Sequence, residues 1–165
     1  MSIDQLNDQG LENLISNYNK KGVTVGGKYT LNECVSERLR RKGMAYTGED
    51  VTRVILRQSR SSPDNLVTYS EVWKTFYPDK KWVGHGSQTE VKKALDAAII
   101  YCIQNSLPIV TSIVVQSSSR QLTSEAKDNI KSRVRQFGFS VHEDAEDFVH
   151  IQAEKTKYLS PQWFP

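Results

Sequence analysis

Apolar residues recur at helical spacing through most of this chain, and the breaks in that spacing mark where its elements begin and end. Leu6, Leu11, Leu14, Ile15 and Tyr18 share one face, which predicts an amphipathic helix over residues 3–19, weakened at Gly10 and ended by Lys20-Lys21-Gly22. Gly22-Val23-Thr24-Val25-Gly26-Gly27 is too rich in glycine for more than a short strand or an ordered loop. Thr30-Leu31-Asn32-Glu33 forms a capping box, in which the threonine hydroxyl accepts from the third helical amide and the glutamate returns the bond. The helix it opens runs over residues 30–42, with Leu31, Val35 and Leu39 inward and Gly43 beyond its end. Thr47-Gly48-Glu49-Asp50 opens a third, over residues 47–60, that turns Val51, Val54 and Ile55 inward. Ser61-Ser62-Pro63-Asp64-Asn65 is the clearest turn in the chain and the place for a boundary, if one exists.

Residues 67–115 form the most informative stretch. Val67-Thr68-Tyr69 reads as a strand leading into a short helix, Ser70-Glu71-Val72-Trp73-Lys74-Thr75-Phe76-Tyr77. A loop with Gly84-His85-Gly86 follows, and Ser87-Gln88-Thr89-Glu90 reads as another capping box, opening a helix over residues 87–105. Its early turns show Lys92, Lys93 and Asp96 outward, and its end is apolar all round, so its last turns belong in a core. Residues 107–115 are short and β-branched, which predicts a strand buried on both faces. Two helices and an apolar β element in this order suggest a winged helix.

Beyond a polar turn at Ser117-Ser118-Ser119-Arg120, a helix is expected from Thr123 or Ser124 to Phe137, stopped by Gly138. Phe139-Ser140-Val141 and Asp147-Phe148-Val149-His150-Ile151 read as the arms of a terminal hairpin around an acidic turn. Residues 155–165 read as an extended tail, with Trp163-Phe164 docking on the body or binding a partner. The expectation is an α+β protein: N-terminal helices (1–60) packed on a winged-helix-like unit (61–154) with a C-terminal helix and β-hairpin. The two parts are compatible with one domain.

Composition narrows the function classes. Hydrophobic content of 38% and charged content of 25%, with apolar residues in periodic clusters, predict a packed core. No apolar run approaches the ~20 residues of a membrane span, and the N-terminus has no secretory pattern, so a cytoplasmic protein is expected. The two cysteines, Cys34 and Cys102, make no metal spacing and no disulfide framework. They read as small buried apolar residues, with a reactive thiol at Cys34, near Arg38, Arg40 and Arg41, as the other reading.

The net charge of +3 hides an asymmetry. Residues 1–19 carry Asp4, Asp8 and Glu12 and no base; residues 138–154 carry five acids and no base. The basic middle favours a polyanion on one face, or else charge that folds back on itself. One basic cluster, Arg38, Arg40, Arg41 and Lys42, ends a helix, where cations complement the macrodipole. Lys127, Lys131 and Arg135 form a stripe that reads as a solvated helix face. Lys74, Lys80, Lys81, Lys92 and Lys93 surround a loop interleaved with Trp73, Tyr77 and Trp82, and are the better polyanion candidate. There Ser87, Gln88 and Thr89 would offer amides or side chains at a helix start beside His85, and Arg120 lies further along the chain.

No catalytic or metal motif stands in the chain. His85, His142 and His150 have no second histidine at ligand spacing, and Gly84-His85-Gly86 lacks the lysine ending of a phosphate-binding loop. No cofactor is expected. An enzyme would need a site assembled from scattered residues such as His85, Tyr69 and Glu71.

Val67-Thr68-Tyr69-Ser70-Glu71-Val72, then Val91-x-x-Ala94-Leu95, then Asn105-x-Leu107-Pro108-Ile109-Val110, resembles the winged-helix domain of alkylguanine-DNA alkyltransferases and alkyltransferase-like proteins. Small uncharacterised bacterial proteins share the arrangement. The alkyltransferase resemblance implies DNA binding, not alkyl transfer. Where that family has Pro-Cys-His-Arg, this chain has Thr111-Ser112-Ile113-Val114, with no Cys, His or Arg, so no cysteine thiolate is there to accept an alkyl group. The expected function is thus a non-enzymatic nucleic-acid-binding accessory or regulatory protein. The alternative is a protein-interaction module with an acidic partner, such as an inhibitor, immunity or accessory subunit in a bacterial or phage conflict system.

Overall fold

The computed structural model describes residues 2–44 and 46–159. A 3-10 turn at Ile3–Gln5 precedes seven helices among these residues: α1 (Asp8–Lys21), α2 (Leu31–Arg41), α3 (Gly48–Ser61), α4 (Tyr69–Phe76), α5 (Gly84–Gln104), α6 (Ser124–Gln136) and α7 (Ala145–Lys157). Strands β1 (Val67–Thr68) and β2 (Val114–Val115) pair in parallel, Val67 opposite Val114 and Thr68 opposite Val115. The coarse α+β class holds, with helices dominant.

Local hydrogen bonds set most of the starts. Thr30 with Glu33 closes one of the two capping boxes read from the chain, and Thr47 with Asp50 and Thr68 with Glu71 close boxes at α3 and α4 as well. The first helix is shorter than its apolar face suggests, because the Asn7 side chain accepts from the Gly10 amide and restarts the chain there. At its other end Gly22 takes the left-handed conformation (φ 66°) and lies against the Gln136 carbonyl of α6.

α5 is the axis of the molecule. It touches α2, α3, α4 and α6, and packs most extensively against α3. Ala94, Ala97, Ala98, Ile99, Ile100, Cys102 and Ile103 are buried around its circumference, so its later half is a core helix. One continuous apolar core runs from Leu11 in α1 to Val149 in α7.

Two expectations give way. The terminal hairpin is a helix: Asp144 caps α7 by accepting from the Asp147 amide at 2.8 Å, and Phe148, Val149 and Thr156 form its buried face. Gln152, one turn beyond Phe148, accepts from the Ile109 amide at 3.0 Å. The strand expected over residues 107–115 shrinks to Val114–Val115, because Val110–Ile113 coil into a 3-10 turn whose burial satisfies the same β-branched residues. Among the described residues the two-stranded sheet is parallel, and β2 leads into α6. The glycine-rich stretch after α1 is a loop, the second of its two expected forms. Trp163-Phe164 lies outside the described residues. Among the described residues no helix is long and apolar enough to cross a membrane.

Candidate nucleic-acid interface

α4 and α5 position the basic loop through an aromatic cluster. Trp73 is buried on α4 and donates from Nε1 to Glu90 Oε2 of α5 at 2.9 Å. Its ring meets Tyr77 at 5.3 Å and Trp82 edge-on at 5.7 Å, while Tyr46 packs on Phe76 at 4.3 Å. Trp82 is thereby held at one edge and remains 38% exposed, and the next residue, Val83, is 71% exposed.

The loop between the helices carries the cations. Lys80 Nζ sits 4.5 Å over the Tyr77 ring, and Lys74 Nζ donates to the Lys80 carbonyl at 3.3 Å. Lys81 and Lys93 are exposed and make no hydrogen bond or ion pair among the described residues. α5 begins without a side-chain cap: the Gly86 amide turns back to the Val83 carbonyl, and Gly84 (φ 43°) and His85 lead the helix at the surface. His85, Thr89 and Lys93 then follow at four-residue intervals as an outward stripe.

The capping box expected at Ser87 does not form there. α5 starts at Gly84, so Ser87 is already inside its first turns, buried, with its hydroxyl accepting from the Val83 amide at 2.8 Å. Glu90, which would have closed the box, is drawn to Trp73 instead. Ser87 therefore offers neither its hydroxyl nor a helix-start amide to a ligand. Arg120 is also engaged: with φ 55°, it grips Asp64 through two guanidinium nitrogens at 2.6–3.0 Å. That grip holds the Asp64 carboxyl well below the usual carboxylate range, with Ser62 helping.

Elsewhere the acidic ends meet the basic middle. Asp8 pairs with Arg41 at 2.7 Å and Glu12 with Arg38 at 3.5 Å, while Glu146 pairs with Lys127. Lys131 donates to the Glu143 carbonyl. The arginine and lysine clusters of α2 and α6 thus have intramolecular partners.

Gln88 and Lys92 belong to a different place. With Asp96 they form a second α5 stripe that faces α6 across a cleft of about 400 Å³. Lys92 approaches Glu125 at 3.7 Å on the far wall, and Asp96 is held by Arg133 at 2.8 and 2.9 Å. Tyr69, Thr111, Gln116, Thr123 and Asn129 complete the polar lining, none of them among the expected nucleic-acid contacts. One signal was present in the chain: Thr111-Ser112 interrupts an otherwise apolar run with hydroxyls.

The groups named for an assembled enzyme site are not gathered. Glu71 is spent on the Thr68 cap, Tyr69 lines the cleft, and His85 is exposed at the start of α5. Both cysteine thiols are buried and pushed up to about 11 by desolvation, which removes the reactive-thiol reading of Cys34. Among the described residues no group of three or more histidine, cysteine or carboxylate side chains is placed to hold a metal ion. Compared with protein-family models, curated proteins and solved structures, the chain gives no match.

Proposed function

We propose that this protein binds nucleic acid without catalysis, through the edge made by the α4–α5 loop and the outer stripe of α5. The observation that carries the reading is the half-exposed Trp82, braced by Trp73 and flanked by Lys80 and Lys81. In this reading Lys74, Lys80, Lys81 and Lys93 neutralise phosphates, and the open face of Trp82 stacks on a base. α4 and α5 are then used as the helix pair of a winged-helix-like unit is used, with α5 presenting its first turns. Pairing of the arginines on α2 and of Arg120 with acids favours this edge over the other basic clusters.

The test is polarisation of a labelled oligonucleotide between about 50 and 200 mM salt, where affinity is expected to fall steeply. Changing Lys80, Lys81 and Lys93 together to glutamine should lower the slope of log affinity against log salt by about 2 for a single strand. Melting should fall by no more than about 4 °C, because all three are exposed and only the Lys80 contact with the Tyr77 ring is lost. Trp82→Ala should weaken binding about tenfold at every salt concentration. Affinity indifferent to salt would sink the reading.

Val83 beside Trp82 supports a second reading, in which this apolar tip enters a pocket on an acidic protein partner. A stoichiometric partner that survives nuclease treatment, and is lost on Val83→Asp, would favour it.

A further inference from the structure

The cleft between α5 and α6 has the features of a built site. Thr111 is 3% exposed, lies in the cleft wall, and its hydroxyl has no hydrogen-bond partner. A buried polar atom left unpaired costs stability, so a native structure that keeps one has a reason to do so. Four more of the lining residues carry groups with open hydrogen-bonding capacity. Among the described residues, the side chains of Gln88 and Asn129 and the Tyr69 hydroxyl make no hydrogen bond. Gln116 accepts a long bond from Ser119 at 3.4 Å, which leaves its amide nitrogen unused.

The remaining walls are apolar: Leu95, Leu122 and Ile130. The charged groups largely cancel, since Arg133 holds Asp96 and Lys92 faces Glu125. A ligand that fits this lining is flat, uncharged, and bordered by alternating donors and acceptors. Primary amides suit such an edge, because each presents one donor and one acceptor side by side. Burial pushes the Tyr69 phenol up, which keeps it protonated as a donor.

We infer that this cleft receives a nucleobase, taken from a free nucleoside or unstacked from a strand bound at the neighbouring basic edge. Selecting a nucleobase among flat amide-like ligands rests on the nucleic-acid reading of that edge. Gln88 and Lys92 on one side of α5, and His85, Thr89 and Lys93 on the adjacent stripe, place cleft and edge on the same helix. An unstacked base entering between α5 and α6 would exchange its edge contacts for Gln88, Gln116 and Asn129.

Three probes test this against Thr111→Val and Trp82→Ala: a short single-stranded oligonucleotide, its abasic counterpart of equal length and charge, and free nucleosides. Valine matches threonine in shape, so Thr111→Val should melt at the same temperature as the unmodified chain or higher. The intact oligonucleotide is expected to bind about tenfold tighter than the abasic one. Thr111→Val should cut that preference about fivefold, leaving abasic binding and its salt slope untouched.

A preference lost with Trp82→Ala and unaffected by Thr111→Val overturns the inference in favour of surface stacking alone. So does equal binding of both oligonucleotides, with no nucleoside shifting the amide resonances of Gln88, Thr111 or Asn129; the basic edge then stands by itself. Nucleoside-induced shifts at those amides, lost in Thr111→Val and with no oligonucleotide bound, keep the cleft for free nucleosides and remove the nucleic-acid reading. No binding by any probe overturns both.

Discussion

Gly48→Ala is expected to lower the unfolding free energy by about 3 kcal/mol, the larger part of what a single overpacked core position costs. Gly48 is the first residue of α3 and is buried where α3 crosses α5. A β-carbon there would come within 2.2 Å of the Ala97 carbonyl oxygen, 2.8 Å of its carbon and 3.0 Å of Tyr101 Cβ. The first two are main-chain atoms in the middle of a helix, so no side chain can rotate away. Relief requires α3 to move off α5, which opens the most extensive helix contact in the molecule. Its helix propensity would otherwise favour alanine, so the sign of the effect separates packing from propensity. Urea denaturation should show the midpoint falling at unchanged slope, and melting should drop by roughly 6–12 °C for a chain of this size. A loss under about 1 kcal/mol would mean that the two helices do not approach this closely.

Removing the Glu37 carboxylate is expected to cost about 2 kcal/mol at neutral pH and progressively less in acid. Glu37 is 7% exposed and accepts from Arg40 at 2.7 Å through two nitrogens and from Arg41 at 2.8 Å. Arg41 extends the network to Asp8 at 2.7 Å and to the Ile3 carbonyl at 3.2 Å, tying α1 and the first turn of the chain to α2. The hydrogen bonds from Arg40 and then Arg41 lower its pKa from 4.5 to about 2. A carboxylate held lower in the folded than in the unfolded chain stabilises fully above 4.5. That contribution is lost as pH falls from 4.5 through about 2. The difference in unfolding free energy between the unmodified chain and Glu37→Gln should therefore be flat above about pH 5 and shrink below it. A difference independent of pH would show that the side chain acts through packing alone.

The fold was legible where hydrogen bonds are local. Thr30 with Glu33 and Thr47 with Asp50 lie three residues apart, and their pairing follows from the chain without knowledge of its surroundings. The same pattern misled at Ser87. Its hydroxyl serves the Val83 amide and its glutamate serves an indole 17 residues away. Over five residues, Asp147 to Ile151 fit strand alternation as well as helical spacing. The helical solution won because Phe148, Val149 and Thr156 found the core, and because Gln152 had the Ile109 amide to satisfy. The candidate interface was half legible: the exposed loop with its lysines and Trp82 could be read as a cluster, but the loss of Arg120 could not. Its partner, Asp64, stands 56 residues earlier.

What the chain determined by itself is the set of short-range choices: most helix starts, the largely apolar identity of the core positions, and a basic loop interleaved with aromatics. Tertiary packing decided which distant charges were cancelled, because ion pairs such as Arg41 with Asp8 depend on how helices lie together. It also decided that Tyr69, Gln88, Thr111, Gln116 and Asn129 border one cleft. These residues sit on separate elements, and no periodicity relates them. Local hydrogen bonds and burial patterns are written within a few residues, whereas a site assembled across α5 and α6 exists only once the core between them has formed.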